Sequence, residues 1–180
     1  GQHVFTNCGL APMGWGLPAA VGACFASRRH RTICIAGDGG LMMNINELAT
    51  VMHYQLPIKL FILNNGGYLT IKQTQQLGFE NRIMGADGSS GLSFPDMMKI
   101  AEAHGLCGSR VESQDGLRER IQEVLDFQGP FVCEIVMDHD QEQMPKAISR
   151  RQPDGRMEQT PLEDMYPFLD REEFNKNMLS

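Results

Sequence analysis

The stretch from Thr32 to Gln75 reads TICIAGDGGLMMNINELATVMHYQLPIKLFILNNGGYLTIKQTQ, and its punctuation decides the fold. An apolar run, Ile33 to Ala36, stops at Gly37-Asp38-Gly39-Gly40. A segment with helical character follows, Asn44 to His53. A second apolar run, Ile58 to Leu63, stops at Asn64-Asn65-Gly66-Gly67-Tyr68. Strand, acidic turn, helix, strand and amide turn make one βαβ unit. In a parallel unit both turns lie at the carboxyl ends of their strands, where open α/β sheets bind ligands. The interval from Asp38 to Asn65 accommodates one crossover helix. The Asp38 carboxylate and the Asn65 amide carbonyl can therefore converge on one hard cation.

Outward from this unit the same alternation continues. Gly9 to Ala23 is a glycine-rich turn leading into a helix of small residues that ends near Ser27, and small residues let a helix approach a neighbouring backbone or ligand closely. Arg28 to Arg31 reads as a solvated basic turn. Tyr68 to Leu77 and a segment from Phe94-Pro95-Asp96 to His104 are expected helices, with Pro95 in the first turn of the second. Arg82 to Gly91 is a loop open to movement. Leu106 to Val111 and Phe131 to Met137 are strands around an amphipathic helix, Gln114 to Phe127. A further strand is expected at Val4 to Thr6. The sum is an α/β fold, a three-layer α/β/α domain with a mostly parallel sheet, over residues 1–140. Residues 141–180 change character and read as a C-terminal extension, a lid or interface strap rather than a second domain.

Composition bounds the function. One domain is expected from 180 residues, and 42% hydrophobic with 21% charged residues is ordinary for a globular chain. A net charge of −6 leaves no basic footprint for nucleic acid or an anionic membrane. No apolar run is long enough to span a bilayer and no signal peptide is evident. Five cysteines, without a CxxC, fit buried free thiols in a reducing cytosol, so the expected location is cytoplasmic. A dinucleotide-binding reading fails because no GxGxxG follows the first strand. The chain opens at Gly1-Gln2-His3 almost directly on a strand, which reads as a piece of a longer polypeptide.

Gly37-Asp38-Gly39 followed by Asn64-Asn65, each after an apolar strand, resembles the diphosphate-and-metal motif of thiamine diphosphate (ThDP) enzymes, and within them the acetolactate synthase-like group. Gly9-Leu10-Ala11-Pro12-Met13-Gly14-Trp15-Gly16-Leu17-Pro18-Ala19-Ala20 is similar to a second segment of that family. The likeness covers roughly Val4 to Val136. It implies a C-terminal diphosphate-binding (PP) domain holding ThDP and Mg²⁺, with Asp38, Asn65 and the Gly67 carbonyl as metal ligands. Mg²⁺ wants six oxygens in a near-octahedral array, and two phosphate oxygens and a water would complete the set. The implied cofactor contacts are Ala11, Met13, Gly37, Asp38, Gly39, Gly40, Met43, Asn65, Gly67, Tyr68 and Leu69. Met13 would wedge under the cofactor, the backbone at Ala11 would face its aminopyrimidine, and Met43 would line the thiamine ring.

The same resemblance implies that the activating glutamate comes from a separate pyrimidine-binding domain or subunit. This chain would then be half a site with no catalytic residue of its own, and Glu47 would be structural. The full enzyme would be a homo-oligomer that decarboxylates a 2-oxo acid and passes a two-carbon acyl unit to a carbonyl acceptor, with FAD conceivable in an absent middle domain. A simple decarboxylase and a non-catalytic binding module on the same fold are the alternatives. The triplet Gly1-Gln2-His3 resembles a diphosphate-contacting Gly-Gln-His of some acetolactate synthases. It stands too close to the Gly-Leu-x-x-Met segment to be given that role. Thr74 replaces a tryptophan that shapes the acceptor pocket in acetohydroxyacid synthases. With Thr70 it forms the expected substrate side, and Arg150 and Arg151 could meet an anionic acceptor such as a sugar nucleotide.

Overall fold

A computed structural model describes all residues except 8, 142–143, 148, 152–153 and 179–180, with backbone only at 150 and 151. The chain divides into two compact units, Gly1–Asp140 and Gln141–Ser180.

The first unit runs α1 (Gly16–Ala26), β1 (Thr32–Gly37), α2 (Asp38–Met42), α3 (Glu47–His53), β2 (Ile58–Asn64), α4 (Leu69–Gly78), α5 (Met97–Ala103), β3 (Cys107–Val111), α6 (Leu117–Asp126) and β4 (Phe131–Val136). Its four strands form a wholly parallel sheet in the order β1-β2-β4-β3. All four carboxyl ends therefore lie along one edge. Side chains alternate across a strand, so each strand feeds two cores. On one face Cys34, Leu60, Ile62 and Val132 pack under Leu17, Ala20 and Cys24 of α1, Leu48 and Val51 of α3, and Met97 and Ala101 of α5. The spacing of Leu17, Ala20 and Cys24 sets one apolar stripe on α1. On the other face Phe61, Cys133 and Val111 meet Val124, Leu117, Ile121 and Leu125 of α6. Helices on both faces of a parallel sheet make the expected α/β architecture.

Four expectations need correction. The helix expected over Asn44 to His53 starts later, at Glu47, and a separate short helix, α2, precedes it. Gly39 and Gly40 belong to α2, a turn follows in which Glu47 N–H donates to the Asn44 carbonyl at 3.0 Å, and α3 starts at Glu47. Asn44 and Asn46 are poor helix formers, and the chain turns there between α2 and α3. Val4 to Thr6 forms no strand, and Val4 and Phe5 are exposed. Pro95 precedes the cap of α5. Asp96 is the cap, accepting from the Met98 and Lys99 amides at 2.9 and 3.1 Å. The Arg82 to Gly91 loop is tied down: Asp87 accepts from the Ser89 and Ser90 amides, and Lys72 pairs with Asp87 at 3.2 Å and with Asp140 at 2.7 Å. Hydrogen bonds from the two serine hydroxyls, then from Lys72, hold the Asp87 carboxyl far below the usual carboxylate range.

The basic turn is solvent-facing as read. Arg29 lies over the rings of Phe25 and Tyr54, at 5.6 and 5.9 Å from their centroids. Cys24, Cys34 and Cys133 are buried free thiols, and burial pushes Cys34 up to about 11, which makes it inert. Cys107 is exposed, and Cys8 lies outside the described residues. Among the described residues no helix is long and apolar enough to cross a membrane.

The second unit has an antiparallel pair, β5 (Ser149–Arg151) with β6 (Met157–Gln159), and a helix, α7 (Arg171–Asn177), capped by Asp170. Arg171 holds the buried Asp164 with two hydrogen bonds at 2.7 and 2.9 Å. The side chains of Arg150 and Arg151 lie outside the described residues.

Candidate functional site: the turns at the ends of β1 and β2

β1 and β2 pair in register, Gly37 beside Leu63, so the acidic and amide turns leave the sheet side by side. Asp38 is 1% exposed. Its Oδ1 accepts from the Gly39 amide at 2.8 Å, and its Oδ2 accepts from the Gly66 and Gly67 amides at 2.9 and 3.1 Å. One carboxylate thus ties the two turns together. Burial pushes the Asp38 carboxyl above its ordinary value, and the three backbone donors oppose that shift. Among the described residues no cationic side chain contributes to that shift. A buried carboxylate held only by amides is a site that gains from a positive charge.

Asn65 supplies the complementary observation. Its Oδ1 is buried and has no hydrogen-bond partner among the described residues. Such an orphan costs about 1–3 kcal/mol and is rare in native proteins. Gly66 turns the chain with φ +73°, and Gly67 packs so closely that a Cβ there would collide with the Ala86 carbonyl oxygen. The Tyr68 amide donates to that same carbonyl at 2.7 Å. Among the described residues no group of three or more His, Cys, Asp or Glu side chains could hold a metal. A buried carboxylate, an orphan amide oxygen and a backbone carbonyl are hard oxygen donors. They suit Mg²⁺ or Ca²⁺ better than a soft metal, with further oxygens from the bound group. The residues present fit a cation–diphosphate pair.

The remaining predicted residues fall into two sets. Gly37 and Gly40 have open space where a Cβ would stand and line a cleft of about 290 Å³, together with Ala11, Met13 and Trp15. Ala11 adopts φ +43°, a left-handed conformation that favours glycine, and Met13 is 43% exposed. Met43 is half-exposed and packs beside Gly14, whose carbonyl accepts from Asn44 Nδ2 at 2.8 Å. The missing Cβ of Gly39 makes room for the Tyr68 ring, which also meets Phe94 edge-on at 5.4 Å. Leu69 opens α4 half-buried. Thr70 and Thr74 are exposed one turn apart, and the Thr74 hydroxyl donates to the Thr70 carbonyl at 2.9 Å. Glu47 accepts from the Thr50 hydroxyl at 2.9 Å.

Sequence reasoning missed three participants. Trp15, the only tryptophan, stands at the cleft as the residue preceding α1. Asn64 and Glu134 join beneath the amide turn, with Asn64 Nδ2 donating to Glu134 at 2.6 Å. The paired Asn in the motif was a signal for Asn64. Glu134, far along the chain in an otherwise apolar strand, was one too.

Known proteins resemble the chain over most of its length. The family described as "Thiamine pyrophosphate enzyme, C-terminal TPP binding domain" matches residues 1–135. The chain is 36% identical over 137 residues to the acetolactate synthase isozyme 2 large subunit of Escherichia coli (strain K12), covering 76% of this chain and 24% of that protein. It is 37% identical over 144 residues to the chloroplastic acetolactate synthase 2 of Nicotiana tabacum, covering 78% and 22%. Against the acetolactate synthase large subunit of Cyanidium caldarium it is 35% identical over 132 residues, covering 73% and 22%. The chain therefore spans about a quarter of the length of these relatives. With a parallel α/β sheet, an acidic and an amide turn at its carboxyl edge and a family match over most of its length, the chain belongs to the C-terminal TPP-binding domains of thiamine pyrophosphate enzymes.

Proposed function

We propose that this chain is the diphosphate- and magnesium-binding part of an acetolactate synthase-like 2-oxo acid carboligase. The observation that carries the reading is the buried, partnerless Asn65 Oδ1 on a turn tied to the buried Asp38 carboxylate. Asp38 would give the cation its one charged protein ligand, and Asn65 Oδ1 and the Gly67 carbonyl two neutral ones. Gly37 and Gly40 would let the diphosphate approach the backbone, and the N-terminal turn of α2 would face it. Met13 and Met43 would support the thiamine ring, with Ala11 presenting backbone to the aminopyrimidine. Gly39 with Tyr68 would buttress the acidic turn, and Leu69 would close the site at the start of α4. When bound, ThDP supplies the electron sink for loss of CO₂ from a 2-oxo acid and for transfer of the two-carbon unit.

The activating glutamate would come from a pyrimidine-binding domain or subunit, within a cytoplasmic homo-oligomer, and FAD would belong to a middle domain if the enzyme uses it. Residues 141–180 would serve as a lid or interface strap. Exposed Thr70 and Thr74 support a roomy acceptor side, so the acceptor would be bulkier than pyruvate or 2-oxobutyrate, a ketosugar nucleotide being the type to try. A calorimetric titration with ThDP and Mg²⁺, with and without a pyrimidine-binding domain, tests the reading. Saturable heat that disappears without Mg²⁺ is expected. No heat in either arrangement would overturn it in favour of a module that binds something else.

A further inference from the structure

A line of polar contacts crosses the carboxyl edge of the sheet beneath the amide turn. Glu134 of β4 is 1% exposed and faces Arg110 of β3 and Ile62 of β2 in register. Its Oε2 accepts from Arg110 Nε at 2.6 Å, and its Oε1 accepts from Asn64 Nδ2 at 2.6 Å. Arg110 is itself anchored by Asp96, the α5 cap, at 3.0 Å. Asn64, with its amide nitrogen committed to Glu134, presents Oδ1 to the Gly66 amide at 2.9 Å. That same amide donates to Asp38 Oδ2. The contacts thus run from β3 through β4 and β2 to the acidic turn after β1.

A buried ion pair is weak evidence of stabilisation, since well-packed apolar residues commonly serve a fold as well or better. What an aliphatic residue at 134 cannot do is accept from Asn64. An asparagine amide without that acceptor is free to turn over, which would put Nδ2 against the Gly66 N–H and push the turn away from Asp38. We propose that Glu134, anchored by Arg110, is a positioning residue for the cation turn. It fixes which way Asn64 points, and Asn64 fixes the Gly66–Gly67 backbone that Asp38 and Asn65 need. In this role Asn64, the first Asn of the pair, holds the turn and leaves the cation to Asn65. The inference rests on the cofactor reading above for its purpose, but its geometry is testable without cofactor.

The test uses the assembled enzyme carrying the full chain, with Glu134→Leu, Glu134→Gln and Asn64→Ala. Two quantities are read: exchange of the Gly66 and Gly67 amides in metal-free protein, and free Mn²⁺ by electron paramagnetic resonance in titrations with ThDP present. Glu134→Leu and Asn64→Ala should speed exchange at both amides at least about tenfold and weaken Mn²⁺ binding roughly 10–100-fold, the usual cost of losing an outer partner at a metal site. Glu134→Gln leaves one acceptor oxygen, for which Asn64 and the Arg110 guanidinium compete, and should fall between the wild type and Glu134→Leu in both readouts. Should Glu134→Leu fail to fold, Asn64→Ala, at a half-buried position, carries the test against Glu134→Gln. Unchanged exchange in Asn64→Ala, or in a folded Glu134→Leu variant, overturns the inference. A wild-type enzyme that leaves Mn²⁺ free with ThDP present overturns the cofactor reading instead, and the exchange data still decide the positioning role.

Discussion

Where Asp38, Asn65 and Gly67 meet, the backbone is held from several directions. At the other end of the site Ala11, Met13, Met43, Thr70 and Thr74 stand partly or wholly in solvent. The first region is built from the ends of two paired strands, so the sheet itself fixes its geometry. The second comes from a turn before α1, the end of α2 and the exposed face of α4. The contrast assigns the two tasks. Under the proposed function the first region would hold the cation and diphosphate, and the second would be one wall of the ring and acceptor side.

That division can be broken experimentally, beginning with the charged ligand. Asp38→Ala should abolish Mg²⁺-dependent ThDP binding, by more than the roughly 10–100-fold that loss of an outer partner costs a metal site. Calorimetry on the assembled enzyme checks it, and unchanged affinity would show that the two turns are not the cation site. On the opposite side, Thr74→Trp should leave cofactor affinity alone and suppress a bulky acceptor relative to simple decarboxylation. A pocket change of this kind is worth roughly 1–3 kcal/mol, or about ten- to two-hundred-fold. Competition between 2-oxobutyrate and a ketosugar nucleotide, with pyruvate as donor, reads the ratio. Clean use of 2-oxobutyrate by the unaltered enzyme would remove the argument from Thr74.

Asn65→Ala should be milder, with ThDP–Mg²⁺ affinity about tenfold weaker because one neutral oxygen is lost. The metal-free protein should melt no lower than the parent, since the orphan acceptor goes with the side chain. A lower metal-free midpoint would mean that Asn65 is structural.

The smallest effect near neutrality is that of pH. Asp38 is pushed above its ordinary 3.8 by burial, so the buried charge costs the metal-free fold nothing below that value and costs it fully once pH has risen through the raised one. Metal-free stability should therefore fall with rising pH across that window, and saturating Mg²⁺ with ThDP should flatten the slope. Cation affinity should weaken as pH falls through the same window, by severalfold per unit and by at most about tenfold. Denaturant titrations across pH, with and without the ligands, would show both trends.

Much of this was legible in the chain because the signals are local. Apolar runs of strand length ending in Gly37-Asp38 and Asn64-Asn65 announce the unit, and the helical spacing of Leu117, Ile121 and Val124 announces α6. What escaped depends on distant partners. Val4 to Thr6 has strand composition but makes no strand pairing here, and β1 keeps one open face with Ile33 49% and Ile35 65% exposed because α6 covers only the other strands. The Arg82 to Gly91 loop looked loose because its anchor, Lys72, lies on a separate helix. Glu134 could not be tied to Asn64 without the register of β2 against β4.

The oxygen of Asn65, without a hydrogen-bond partner among the described residues, would under the proposed function bear on the life of the protein in a cell. A ligand that binds only the folded chain raises the free energy of opening it. A chain starved of thiamine would open its turns more often and meet proteases sooner. If the chain binds the cofactor as proposed, scarcity of the vitamin would lower the amount of protein as well as its occupancy, with an unsatisfied acceptor acting as the gauge.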